Sequence, residues 1–386
     1  MVSLTQDTGK SGLWAALFII LLLPFLFFRQ GAGSLSLAAP RLGLPASIPR
    51  ANVLWDFQGS ETELPVWLGG PLLGSQYLAA MSPTTLVALD QEGKPLWREE
   101  GPSGFKVQNN GKELLLALSS GQITLFDAAG VVWGRPSVWP AEALALASDG
   151  RAAVVRGPVL EGTGSLIEEV SFFTPSGAVI GEQVLRNTSS LKLTPAASGW
   201  LIATVGLGSR DTKARLSLLT DKGERAREIW SSPELIQTFS AQGEWIAAAG
   251  GSLVHLSLSE GESHDLELTN PASHLAWTQD GNLLVAESGG TASAPSRVTL
   301  LAPTGKKLWQ RRLRGPCRGL FIREDTVLVA DNEFVYALGR NGKPVWCYEA
   351  PINIEHLLPL AVGDQVLLQL DSNRLLLLVP SVPAGS

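Results

Sequence analysis

Apolar and polar residues alternate in short runs along most of the chain, and each run ends at Gly, Asp, Asn, Ser or Pro. A period of two bounded by turn residues predicts many short β-strands. One unit organises the pattern. TLVALDQEGKPLW, from Thr85 to Trp97, is an alternating strand, a polar turn holding Gly93, and a short strand closed by Trp. It returns as FVYALGRNGKPVW from Phe334 to Trp346. Weaker copies are ITLFDAAGVVW (Ile123 to Trp133), VSFFTPSGAVIG (Val170 to Gly181), LSLLTDKGERAREIW (Leu216 to Trp230), VHLSLSEGESHDLEL (Val254 to Leu268) and VTLLAPTGKKLW (Val298 to Trp309). Their turn glycines, Gly93, Gly130, Gly177, Gly223, Gly261, Gly305 and Gly342, recur roughly every 37 to 47 residues, the spacing of four-stranded propeller blades.

A second ladder of turns lies between these hairpins. Asn110-Gly111, Asp149-Gly150, Ser198-Gly199, Gln242-Gly243, Asp280-Gly281 and Gly363-Asp364 each precede an apolar run. Every repeat then holds an inner strand, a turn, a second strand, a loop and the hairpin that ends in Trp. The last set, Glu355 to Val379, lacks its Trp strand, whereas NVLWDF, from Asn52 to Phe57, is a Trp strand without a hairpin. Pairing of Asn52–Phe57 with Arg374–Val379 closes the ring and removes an open edge. The predicted fold is all-β, an eight-bladed β-propeller spanning 51–380; seven blades with a stray N-terminal strand is the alternative.

The N-terminus follows another pattern. After a tail at 1–10, residues 11–28 (Ser11 to Phe28) carry no charge. As a helix they extend about 27 Å, near the hydrocarbon thickness of a bilayer. With Trp14 and Arg29 as interfacial anchors, the segment reads as one transmembrane helix and an uncleaved anchor. A cleavable signal peptide ending near Ser36-Leu37-Ala38 is the competing reading. Residues 29–50, rich in Gly, Ala, Ser, Leu and Pro, read as a linker, and 381–386 as a C-terminal tail. Lys10 precedes the segment while Arg29, Arg41 and Arg50 follow it, so basic residues do not choose a side. Long domains translocate largely regardless of charge, and the propeller is expected on the extracytoplasmic side.

Composition narrows the function. At 386 residues and 45% hydrophobic, the chain can bury a large core. A net charge of -6 excludes the basic excess that a nucleic-acid partner requires.

The strings ALDQEGKPLW and ALGRNGKPVW resemble the repeat of the PQQ-like (quinoprotein-type) β-propeller family, over about Asn52 to Val379. The resemblance implies that Trp55, Trp97, Trp133, Trp230, Trp309 and Trp346 dock one blade on the next. It is closest to the non-catalytic scaffolds of that family, such as the propeller lipoprotein of outer-membrane β-barrel assembly. Its quinone dehydrogenases are longer and carry adjacent cysteines, whereas the cysteines here are Cys317 and Cys347.

Candidate chemistry is sparse. His255, His264, His274 and His356 fall in separate repeats, without the paired spacing of a zinc site. Glu260, Glu262, His264 and Asp265 read as a solvated turn. Asp90, Asp127 and Asp221 recur at turns, where carboxylates bond turn amides. Cys317 and Cys347 are placed on inner and outer strands of one blade, three spacings of about 4.8 Å apart, too far for a disulfide.

No cofactor or metal is expected. The basic stretch Lys306, Lys307, Arg311, Arg312, Arg314 and Arg318 is the candidate partner-binding patch, with protection of an outer strand edge as the plainer alternative. Charge reversal at Arg311 and Arg312 is expected to spare the fold and weaken partner capture. The expected function is a membrane-anchored scaffold for protein partners; an enzyme using the central funnel, quinone-dependent or other, is the alternative.

Overall fold

The chain divides into two units, Met1–Leu44 and Pro45–Ser386, and every described residue belongs to the second. The computed structural model describes residues 48–380 apart from 59–66, 73–76, 82–84, 91–93, 101–105, 110–114, 120, 128–129, 138–140, 163, 208–211, 258–261, 290–294, 360–364 and 372–373. The expected tails, the 11–28 membrane segment and most of the 29–50 linker lie outside the described residues. Among the described residues, no helix is long and apolar enough to cross a membrane.

The described strands form eight antiparallel four-stranded sheets. Seven use consecutive strands and are numbered in chain order: sheet 1 (67–100), sheet 2 (106–136), sheet 3 (141–186), sheet 4 (188–232), sheet 5 (236–267), sheet 6 (272–312) and sheet 7 (319–349). Sheet 8 joins Ile354–Pro359, Val366–Leu370 and Arg374–Pro380 to Ala51–Gln58, which forms its outer edge.

Position in the sheet explains the sequence pattern. Middle strands are covered on both faces, so Leu283–Glu287 and Val366–Leu370 are buried throughout and read as continuous apolar runs. Outer strands meet solvent, and Val179–Arg186 alternates between exposed and half-buried positions. The inner strands Trp67–Leu72, Lys106–Asn109, Ala141–Leu146, Thr188–Ala196, Ile236–Gln242, Ala272–Trp277, Gly319–Arg323 and Ile354–Pro359 each pack on the next, and the last packs on the first. They enclose a central channel. Apolar clusters fill the seams between sheets, as where Trp346 of sheet 7 is buried with Ile354, Leu357 and Leu376 of sheet 8.

Ala51–Gln58 pairs with Arg374–Pro380 in a register that sets Asn52 opposite Val379 and Phe57 opposite Leu375. The Arg374 guanidinium grips Asp56 through Nε, 2.8 Å from Oδ1 and 3.0 Å from Oδ2, which lowers the Asp56 pKa. Just upstream the chain crosses sheet 7. Cys347 N–H donates to Pro49 O at 3.0 Å, and Arg50 forms a parallel bridge with Cys347. Sheets 7 and 8 are thereby tied together by one N-terminal segment.

Candidate functional site

Recurrent contacts at the seams build the scaffold. In sheet 2, Trp133 lays its indole on the hairpin glycine of sheet 3, Gly177, and donates Nε1–H to Pro175 O at 3.1 Å. In sheet 6, Trp309 lies on Gly342 of sheet 7 and donates to Arg340 O at 2.7 Å. Both glycines have positive φ, +81° and +71°, and a Cβ on either would lie 2.7 Å from the indole. Two residues beyond each Trp, an arginine completes the clamp: Arg135 Nε donates to Gly177 O at 3.0 Å and Arg311 Nε to Gly342 O at 2.5 Å. Trp97 stacks on Phe126 of the next sheet with ring centroids 5.3 Å apart, and Trp230 stacks on His255 at 5.4 Å. The side chain of Trp55 lies outside the described residues.

Where the repeat lacks Trp, another residue takes the seat. Leu266 of sheet 5 lies on Gly305. In sheet 3, Gly181 stands opposite Phe172, the register position that Trp133 holds opposite Leu125. A Cβ on Gly181 would overlap Lys222 O, so the next hairpin occupies that space with backbone, and Phe172 fills the place above Gly223. These substitutions have no sequence signature beyond the missing Trp.

The turn carboxylates divide. Asp90 Oδ1 accepts from Lys94 N at 2.8 Å and Asp127 Oδ1 from Gly130 N at 3.1 Å. In sheet 4 the equivalent acceptor is Thr220, whose Oγ1 takes Glu224 N–H at 3.1 Å. Asp221, one residue on, pairs instead with Arg151 of sheet 3 and does not bond a turn amide. Sequence spacing aligned the wrong residue there, because Thr and Asp both accept from a turn amide. Two buried carboxylates brace crossover loops: Asp331 accepts Arg314 N–H at 3.1 Å, and Glu287 accepts Thr269 and Asn270 N–H, each at 3.1 Å.

Of the basic stretch, Lys306, Lys307, Arg311, Arg312 and Arg314 are exposed and Arg318 is half-buried. Lys306 and Lys307 lie at the hairpin end of the outer strand Lys307–Arg312, and Arg311, exposed as they are, also belongs to the inter-sheet clamp. Arg312 is exposed at the end of that strand. Arg314 lies over the Phe334 ring at 4.3 Å, and Arg318 is half-buried with Nε 2.7 Å from Asn332 Oδ1. Charge reversal at Arg311 would remove its hydrogen bond to Gly342 O. Beside this strand, Asp280, Leu308, Ile322, Glu324, Asp325 and Arg340 line a cleft of about 140 Å³ between sheets 6 and 7. Arg340 holds its carboxylates, reaching Asp280 at 3.1 Å and Asp325 at 2.5 Å.

The channel carries an ordered set of side chains. Five inner strands bulge at the same register: Glu142, Leu191, Gln237, Ser273 and Glu355 are the unpaired residues. The residue after the bulge is Ala143, Lys192, Thr238, His274 or His356. Desolvation, then the nearby Lys192 and His356, push the His274 pKa down to about 4. Desolvation and Arg318 lower that of His356, and desolvation alone lowers that of Lys192. Glu355 is raised by desolvation and by its hydrogen bond to Asp371, and Gln369 Nε2 donates to its Oε2 at 3.0 Å.

His255 is the stacking partner of Trp230, so the histidines serve different places. Among the described residues, no group of three or more His, Cys, Asp or Glu is placed to hold a metal ion. Cys317 and Cys347 are free and buried, and burial pushes the Cys317 thiol up to about 12.

The closed ring of four-stranded sheets defines a β-propeller. Residues 227–382 match the model of a family described as outer membrane protein assembly factor BamB. Among solved structures, BamB from Moraxella catarrhalis superposes with a TM-score of 0.58 at 14% identity, covering 87% of this chain and 99% of that one. Sqt1 of Saccharomyces cerevisiae gives 0.63 at 11% identity, covering 87% and 100%. The C-terminal WD40 domain of Sif2 gives 0.66 at 10% identity, covering 86% and 99%. At these identities the likeness is one of fold. No curated protein matches the sequence.

Proposed function

We propose that this chain is a membrane-anchored, eight-bladed propeller that acts outside the cytoplasm as a non-catalytic scaffold for protein partners. The observation that carries the reading is the match of residues 227–382 to the BamB family model, which spans the sheets from the outer strand of sheet 4 to ring closure. The seams favour a role in assembly by contact. Each Trp or Leu seat fixes one sheet against the next, so surface loops and outer strands stand on a rigid frame.

Within that reading, the partner-facing patch is the basic stretch Lys306, Lys307, Arg311, Arg312, Arg314 and Arg318, in which Arg311 also holds the frame. An anchor at 11–28 followed by a linker of about twenty residues raises the effective concentration of the domain toward membrane-bound partners.

Protease accessibility of the full chain in intact cells and in permeabilised cells tests placement. Cleavage within the propeller only after the anchoring membrane's outer face is opened to protease, with the protein retained in carbonate-washed membranes, fits the proposal. Release by carbonate, or protection that ends only on rupture of the cytoplasmic compartment, contradicts it.

A further inference from the structure

The cleft between sheets 6 and 7 joins an apolar floor to an acidic rim. Leu300 and Val327 are buried and Ile322 is half-buried, whereas Leu308, 48% exposed, is open to solvent. A bulge puts Leu308 there. Leu300 pairs with Trp309 and Leu301 with Lys307, which leaves Leu308 unpaired between them. The same distortion precedes Trp97, Trp133 and Trp346, with Leu96, Val132 and Val345 as the extra residues. A bulge re-aims a side chain, and here it turns Leu308 to the cleft that Leu300 also lines. Lys307 takes the other face of the strand: its Nζ lies 3.5 Å from Gln310 Oε1, and Gln310 Nε2 donates to Thr299 Oγ1 at 2.9 Å.

The walls are already fixed. Trp309 Nε1–H donates to Arg340 O at 2.7 Å, and the Arg340 side chain reaches Asp280 of sheet 6 and Asp325 of sheet 7. Three carboxylates, Asp280, Glu324 and Asp325, line the cleft against one cation, Arg340. Asp280 and Asp325 share that cation, and among the described residues Glu324 has no ion pair. Arg323 lies on the face of its strand opposite Ile322. A volume of about 140 Å³ suits a benzene-sized group, and an acidic rim favours a cation beside it.

We propose that this cleft receives one apolar side chain, the size of Leu or Phe, from a partner protein in which a neighbouring Lys or Arg pairs with Glu324. Burial of the apolar group against Leu300, Ile322 and Leu308 supplies affinity, and Glu324 supplies selection for a basic segment. The inference rests on the scaffold reading for the partner being a protein, and adds a contact of opposite charge preference beside the basic stretch.

The test is methyl NMR of the purified full chain in a neutral detergent, titrated with three end-blocked tripeptides: Lys-Phe-Lys, Lys-Ala-Lys and Glu-Phe-Glu. Ile322→Val and Leu308→Ser spectra assign the two sets of methyl signals. Lys-Phe-Lys is expected to shift both sets with a Kd on the order of 1 mM. Lys-Ala-Lys, without the ring, and Glu-Phe-Glu, with the charge reversed, should each bind about tenfold or more weakly. Glu324→Gln should weaken Lys-Phe-Lys severalfold at an unchanged melting temperature, and Leu308→Ser should do the same. Should Leu308→Ser not fold, Glu324→Gln and the peptide series decide.

Equal affinity for the three peptides, shifts confined to other methyl groups, or no saturable shift overturns the proposal. So does movement of the same signals on dilution of the protein alone, or on transfer to nanodiscs of anionic lipid without peptide, which would assign the cleft to a second copy or to lipid. None of these readouts depends on membrane placement or on capture through Lys306 and Lys307, so failure here is distinct from failure of the scaffold reading.

Discussion

Gly342 is the seat of Trp309: a Cβ on the glycine would lie 2.7 Å from the indole, and Nε1 of the same indole donates to Arg340 O at 2.7 Å. Trp309 is half-buried, so the contact stabilises on the order of 1–2 kcal/mol, and it is possible only while the turn carries no side chain. Gly342→Ala also forces a φ of +71° on an L-residue. The expected loss is about 2–4 kcal/mol in urea denaturation. Gly243, with φ +58° and nothing within 4 Å of an added methyl, is the control, and Gly243→Ala should cost only about 1 kcal/mol. Equal losses at the two sites contradict the seat.

Arg311 extends the same clamp, so Arg311→Glu should destabilise by about 1–2 kcal/mol through loss of the bond to Gly342 O. Lys306→Glu, at an exposed position, should stay within about 0.5 kcal/mol. Thermal melts of the two variants separate the frame from the surface.

The repeat, the ring closure and the Trp strands were legible because each rests on periodicity. NVLWDF lacked a hairpin where the last repeat lacked a Trp strand, and Asn52 indeed faces Val379. The seats of Phe172 and Leu266 were not legible, since any bulky apolar residue fills a space above glycine. Nor was the channel set. His274 and His356 read as isolated histidines in separate repeats, and only the bulges at Leu191, Ser273 and Glu355 give them one register with Lys192. A bulge shifts pairing by one residue without altering composition, and only the equal interval in the sequence hints at it.

Ring closure gives a truncation prediction. A chain starting at Gln58 loses the outer strand of sheet 8, the Asp56–Arg374 pair and the Pro49–Cys347 tie between sheets. Its denaturation midpoint should fall well below that of a chain starting at Ile48. Coincident curves contradict the closure.

His274 predicts a pH dependence. Its pKa is about 4 in the folded chain against 6.5 for the free side chain. The unfolded chain therefore takes up the proton first, so its contribution is intact above pH 6.5 and is lost progressively as pH falls toward 4. Urea midpoints of wild type and His274→Gln, compared at matched pH, should converge or cross over that window. A constant difference from pH 7 to pH 4 contradicts the shift.

Cys317 and Cys347 should both react with a thiol reagent after denaturation without reductant, giving two labels per chain. In the native state at pH 8, Cys317 should be nearly inert, because its thiol titrates near 12. Two labels gained only after reduction would contradict the free thiols.

The scaffold proposal stands or falls on the exposed part of the basic strand. The full chain, and a Lys306→Glu/Lys307→Glu variant, are purified from native membranes after cross-linking, and the mass and stoichiometry of bound protein are measured beside the melting temperature and any bound chromophore. The account predicts a stoichiometric membrane-associated partner on the wild type, reduced severalfold on the variant at an unchanged melting temperature. A stoichiometric redox-active quinone that reduces an electron acceptor with an alcohol or sugar, or partner capture that the variant leaves untouched, contradicts it.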